Sequence, residues 1–155
     1  MVGRNGSGKS TLLRTLAGIQ APLDGHVRIH GCDVRGLGAR RLARLIAMVF
    51  PTAVGTGAGA LTVSETTALG RHPYTGITGH LSDDDRRIIH EAIEAVGLSH
   101  KADTTLAALS DGLRQKAMIA RALAQQTPVI IMDEPTAFLD VPSRHSLMKL
   151  VAELA

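Results

Sequence analysis

Two short stretches carry residue types that can do chemistry. The first, MVGRNGSGKSTLL, fits the spacing G-x-x-x-x-G-K-[ST], with Gly3, Gly8, Lys9 and Ser10 at the fixed places and Gly6 as an extra glycine. Glycine admits positive φ and lets the backbone approach a ligand closely. The N–H groups of Asn5, Gly6, Ser7, Gly8, Lys9 and Ser10 can therefore converge on anionic oxygens. Lys9 adds a point charge against β- and γ-phosphates, Ser10 offers a hydroxyl to Mg²⁺, and Thr11 reaches toward an α-phosphate. A helix starting near Lys9 directs its positive end at the same anion. The second stretch, TPVIIMDEPTAFLD, is an apolar run that ends in two acids. At the carboxyl end of a strand, Asp133 can hold Mg²⁺ through its water shell, while Glu134 can orient and deprotonate the water that attacks a γ-phosphate.

Positioning these groups requires an alternation of strands and helices. Leu12, Leu13, Leu16 and Ala17 recur at helical spacing after the glycine-rich loop, and Gly18 stands where a left-handed C-cap belongs. Asp24-Gly25 and Gly31 flank Val27 and Ile29 as a short hairpin, and a helix is predicted from about Gly38 to Leu45. LIAMVF, from Leu45 to Phe50, reads as a buried strand ended by Pro51. Thr62 caps a helix to about Leu69 that Gly70, Pro73 and Gly76 break, and Ser82 caps a longer one to about Val96. Asp83, Asp84 and Asp85 fall in the first turn of that helix, where the helix dipole favours them. A further helix runs from about Gly112 to Ala124, Val129 to Met132 form a strand, and a last helix starts near Pro142.

Composition bounds the rest. With 155 residues, 45% of them hydrophobic, the chain supports one sizeable core. No apolar run approaches the roughly 18 residues that span a bilayer. A single cysteine, Cys32, excludes an internal disulfide. The net charge of +3 is mild, and with only Tyr74, Phe50 and Phe138 as aromatics the chain lacks a nucleic-acid-binding pattern. Arg40, Arg41 and Arg44 are expected to form a solvated helical face. His26, His30, His72, His80, His90 and His100 show no metal-ligand spacing.

Between the two motifs lies ALSDGLRQKAMIARALAQQ, and here the chain resembles the nucleotide-binding subunit of ABC transporters over nearly its whole length. LSDG resembles the family signature LSGGQ. The resemblance implies an α/β fold, a P-loop NTPase core at 1–60 and 116–155 with an inserted α-helical subdomain at 61–115. It implies ATP and Mg²⁺ as ligands and a head-to-tail dimer in which Ser110 and Gly112 contact the γ-phosphate held by a second ATP-binding subunit. Asp140, in FLD, becomes the candidate for coupling across that dimer. The segment LTVSETTALGRHPYTG is similar to importers of iron chelates, haem and cobalamin through Gly70, Arg71 and Pro73, residues an ordinary turn also explains. Transmembrane permease subunits, an indirectly coupled substrate-binding protein and a peripheral place on the cytoplasmic face of the inner membrane follow from the same resemblance.

The pattern is broken at four places. Pro51 or Thr52 stands where the family has a glutamine after the strand, and in the signature Asp111 replaces a glycine and Leu113 the glutamine. The adenine-stacking aromatic belongs to strands that would precede Gly3, and His145 lies too close to Glu134 to serve as the switch histidine. These departures lead to the expectation that the chain starts inside a longer domain, is marginally stable alone and hydrolyses ATP poorly. Two other readings stay open: a soluble ABC-type ATPase outside transport, and a fragment that binds nucleotide without turnover.

Overall fold

The structure, a computed structural model, describes residues 8–29, 31–50, 57–76, 78–137 and 139–154. Gly3, Asn5, Gly6, Ser7, His30, Pro51, Thr52 and Phe138 lie outside the described residues.

The first helix, α1 (Lys9–Leu16), ends in a glycine turn at Gly18, whose φ of 71° only glycine adopts freely. A Cβ there would also press on Leu42. The hairpin forms as β1 (Arg28–Ile29) against β2 (Cys32–Asp33), with Gly31 at φ 78°. Next come α2 (Ala39–Leu42), shorter than its sequence suggests, and β3 (Ile46–Val49). The helical region holds α3 (Val63–Ala68), a single 3-10 turn at Leu69–Arg71 and α4 (Asp83–Ala95). It continues into α5 (Asp111–Ala124), which leads to β4 (Val129–Met132), and the described chain ends in α6 (Val141–Leu154).

Both capping residues behave as their sequence predicts. Thr62 accepts from the Glu65 amide while the Glu65 carboxylate accepts from the Thr62 amide. Ser82 and Asp85 make the same reciprocal pair at the start of α4.

Strand β3 pairs with β4 in parallel, Ile46 opposite Val129 through Val49 opposite Met132. The Asp133 amide extends the ladder by donating to the Val49 carbonyl at 3.0 Å. Parallel pairing makes the two strands end at one edge, so Phe50 and the Asp133-Glu134 pair emerge together. Helix α5 packs on β3 and on α3 and α4, and the core they enclose includes Val49, Val63, Leu98, Leu106, Ile119 and Leu147. Each of these side chains is almost fully buried and contributes about 1.5–3 kcal/mol of apolar burial. On its other side β4 is only half-buried. Ile130 and Met132 border an apolar groove with Leu123, Met148 and Val151.

Two surface segments carry more than their sequence suggests. Arg40, Arg41 and Arg44 are exposed, as a solvated face should be, yet two of the three are also engaged. Arg40 donates to the carbonyls of Pro73 (2.9 Å) and Thr75 (2.6 Å), and Arg44 donates twice to the Pro73 carbonyl (3.1 and 2.9 Å). The turn at Gly70 is not a simple break. Arg71, 5% exposed, is held at 2.7 Å by Asp85, so the segment is anchored in the interior.

Candidate functional site

Helix α1 opens on Gly8, whose φ of 81° lies in the left-handed region and whose carbonyl accepts the first helical bond, from the Leu12 amide. The first-turn amides of a helix have no partner within it, and α1 has no acidic residue there to oppose an anion. Gly8, Lys9, Ser10 and Thr11 form one wall of a cavity of about 220 Å³ whose opposite wall is Glu134. A larger space of about 640 Å³ adjoins it, sharing Ser10 and Glu134 and adding Asp133, Arg14, Ile19 and Phe50. Its size lies within the range of small-ligand sites, roughly 300–1,000 Å³.

Ladder and turn geometry place the two acids differently. Asp133 is 6% exposed, fixed by its amide to β3, and lines the larger cavity together with Ser10. Glu134 is exposed and turns out of the ladder at φ 46°. Its carbonyl accepts from the Ala137 amide in the turn that follows. A left-handed glutamate costs on the order of 1–3 kcal/mol, a strain found where the fold holds a side chain toward a ligand.

Of the residues singled out in the sequence, the structure gathers Gly8, Lys9, Ser10, Thr11, Asp133 and Glu134 around one cleft. Ser110 and Gly112 are absent from both linings and stand at the start of α5. Ser110 caps that helix, its exposed hydroxyl accepting from the Leu113 amide at 3.4 Å. The carboxylate of Asp111 turns back to Arg114 at 2.8 Å, which neutralises the charge that replaces a glycine in the signature. Gly112 packs beneath α6, where a Cβ would lie 3.1 Å from Ser143. Asp140 caps α6 by accepting from the Ser143 amide, and its hydrogen bonds with the Ser143 hydroxyl first and that amide second hold its carboxyl below the ordinary range. His145 is exposed on α6 and absent from both cavity linings. Sequence reasoning missed Arg14, although its spacing of four from Ser10 puts the two on one helix face.

The sequence pattern of the family described as ABC transporter matches residues 1–137. An uncharacterised ABC transporter ATP-binding protein of Methanocaldococcus jannaschii is 42% identical over 155 residues, all of this chain and 53% of that protein. The ferric enterobactin transport ATP-binding protein of Escherichia coli is 38% identical over 154 residues, 99% of this chain and 56% of that one. Among solved structures, a dimeric post-hydrolysis state of an ATP-binding cassette bound to ADP and Pi superposes with a TM-score of 0.78. It shows 31% identity over 98% of this chain and 66% of the other. The chain thus spans about half the length of the curated relatives it matches.

Proposed function

This chain belongs to the ABC transporter family, and from that premise we propose that it is the ATP-binding part of an importer subunit that hydrolyses ATP. The observation that carries this reading is the shared cleft. Gly8 to Thr11 at the start of α1 face Glu134, with Ser10 and the buried Asp133 alongside.

In this reading the first-turn amides and Lys9 hold the phosphate chain of ATP, with the loop Gly3 to Ser7 wrapping it as the motif implies. Ser10 and Asp133 supply a hydroxyl and a carboxylate to the same cavity, an oxygen pair that suits Mg²⁺. Among the described residues no cluster of three or more His, Cys, Asp or Glu could hold a metal by itself, so phosphate oxygens and water complete its shell. When bound, Mg²⁺ offsets charge on the β- and γ-phosphates. Glu134, turned into the cleft by its left-handed backbone, orients the attacking water and takes its proton.

Ser110 and Gly112 stand outside this cleft, which favours their acting on nucleotide held by a second copy. A helix N-terminus whose nearest carboxylate, Asp111, is paired to Arg114 suits that task. The division into a core at 1–60 and 116–155 and a helical subdomain at 61–115 is part of the same proposal. Among the described residues no helix is long and apolar enough to cross a membrane, so transport requires permease subunits. The ferric enterobactin relative supports an iron-chelate cargo, with haem or cobalamin in the same class, and a peripheral position on the cytoplasmic face of the membrane.

Phosphate release from Mg-ATP, measured on this chain and on Glu134→Gln, tests the proposal. The glutamine variant is expected to bind ATP normally and to release phosphate about 10²-fold more slowly or worse. Equal rates for the two proteins would remove Glu134 from the chemistry.

A further inference from the structure

The far end of α5 carries a polar assembly that the hydrolytic reading leaves unused. Gln125, the C-cap of α5, donates from Nε2 to the carbonyls of Ala43 (2.5 Å) and Ile46 (2.9 Å), where the chain enters β3. Its own carbonyl accepts from the Tyr74 hydroxyl at 2.9 Å. Arg71 donates to the Ala124 carbonyl at 2.8 Å and to the Gln126 side chain at 3.1 Å, with its guanidinium 4.0 Å from the centre of the Tyr74 ring. Arg44 covers the same ring at 5.0 Å. One turn back, Arg121 donates to the Met48 carbonyl of β3 at 3.2 Å. A Cβ on Gly70 would overlap the Arg121 carbonyl, so the 3-10 turn and α5 meet backbone to backbone.

Apart from the tie of Arg71 to Asp85, the bonds of this assembly end on main-chain carbonyls or on its own members, so it fixes the backbone of α5 against the chain entering β3. The opposite end of the same helix presents Ser110 and Gly112. Fifteen residues at 1.5 Å each separate Gln125 from Ser110, a lever of about 22 Å. A tilt of about 5° at the Gln125 end moves Ser110 by about 2 Å. An error of about 1 Å in a catalytic contact costs on the order of 10²-fold in rate.

We propose that Gln125 is a positioning residue: with its main-chain carbonyl held by Tyr74 and its neighbours Ala124 and Gln126 held by Arg71, its side chain sets the angle of α5 against β3 and so places the Ser110–Gly112 turn for the partner's nucleotide. The proposal rests on the reading of Ser110 given above. Its structural half, the fixed angle of α5, stands independently of catalysis.

The test uses the full chain with Cys32→Ser and paired nitroxide labels at Arg28→Cys on β1 and Ala108→Cys before α5, both exposed sites. The parent should give one narrow distance distribution. Gln125→Leu, which keeps bulk and loses both donors, should broaden or shift it by about 2 Å, and Gln125→Lys, which keeps a donor, should restore it. An unchanged distribution in Gln125→Leu overturns the proposal. Should that variant not fold, Tyr74→Phe removes a single hydroxyl from the same assembly, and an unchanged distribution there has the same force.

Steady-state turnover, measured with unlabelled protein, supplies the second readout. Gln125→Leu should lower kcat about 10²-fold or more with KM within about twofold, because the phosphate loop is untouched, and Gln125→Lys should recover most of kcat. An unaltered kcat overturns the positioning of Ser110. Absence of turnover in the parent refutes the ATPase reading instead, and the distance measurement then decides the angle of α5 alone.

Discussion

Asp85 shows how much a single side chain can hold. It caps α4 with Ser82 and meets Arg71 at 2.7 Å, both residues being nearly buried. The Ser82 hydroxyl first and Arg71 second hold its carboxyl below the ordinary range. A lowered carboxyl binds fewer protons folded than unfolded, so its contribution to stability is present above its unfolded value of about 3.9 and is lost as pH falls through the folded value. Asp33 and Asp140 are lowered too, but they are exposed and add little. The urea midpoint is therefore expected to stay level from neutral pH to about 5 and to fall below about 4. Asp85→Asn should flatten that acid slope. Arg71→Ala, which strands a buried carboxylate, should cost about 3–5 kcal/mol in urea unfolding at neutral pH. A midpoint unmoved by Arg71→Ala would contradict the pairing. Residue types alone could not reveal this role, because Arg71 and Asp85 sit on different elements and no local period links them. Asp111 differs: its sequence position suggests a charge facing phosphate, yet its side chain turns to Arg114 three residues on in the same helix, a pairing that helical spacing could have revealed.

At the scale of elements, close packing and capping make different demands. Gly70 touches the Arg121 carbonyl so closely that no rotamer can relieve an added methyl, since a Cβ has none. Gly70→Ala should therefore push α3 off α5 and cost several kcal/mol, comparable with severe overpacking. Ser82→Ala removes only a cap and should cost about 1 kcal/mol. Chemical denaturation of the two variants side by side checks the order; a Gly70→Ala as mild as Ser82→Ala would contradict the backbone contact. Most elements were legible in the sequence for stated reasons. The runs at Leu45 to Phe50 and Val129 to Met132 are short, apolar and end at turn residues, as parallel strands must. Ser82 and Thr62 carry their capping partners three residues on. The grip of Arg40 and Arg44 on Pro73 was not legible, because it joins residues 33 and 29 positions apart.

Across the whole molecule, three motifs in order along the chain pointed to the family, and the match over residues 1–137 bears that out. The fold brings the first and last motifs to one cleft and leaves the middle one at the start of α5, which no spacing rule foretells. In the function proposed above, what unites these features is a cleft between α1 and the carboxyl end of β4 that binds phosphate. Calorimetric titration of the chain with a non-hydrolysable ATP analogue, with and without Mg²⁺ and with Lys9→Ala, tests that claim most directly. The account predicts saturable uptake that weakens roughly tenfold to a hundredfold when Mg²⁺ or the Lys9 charge is withdrawn, as loss of charge-assisted contacts entails. Uptake of equal strength in all three conditions, or none in the first, would contradict it.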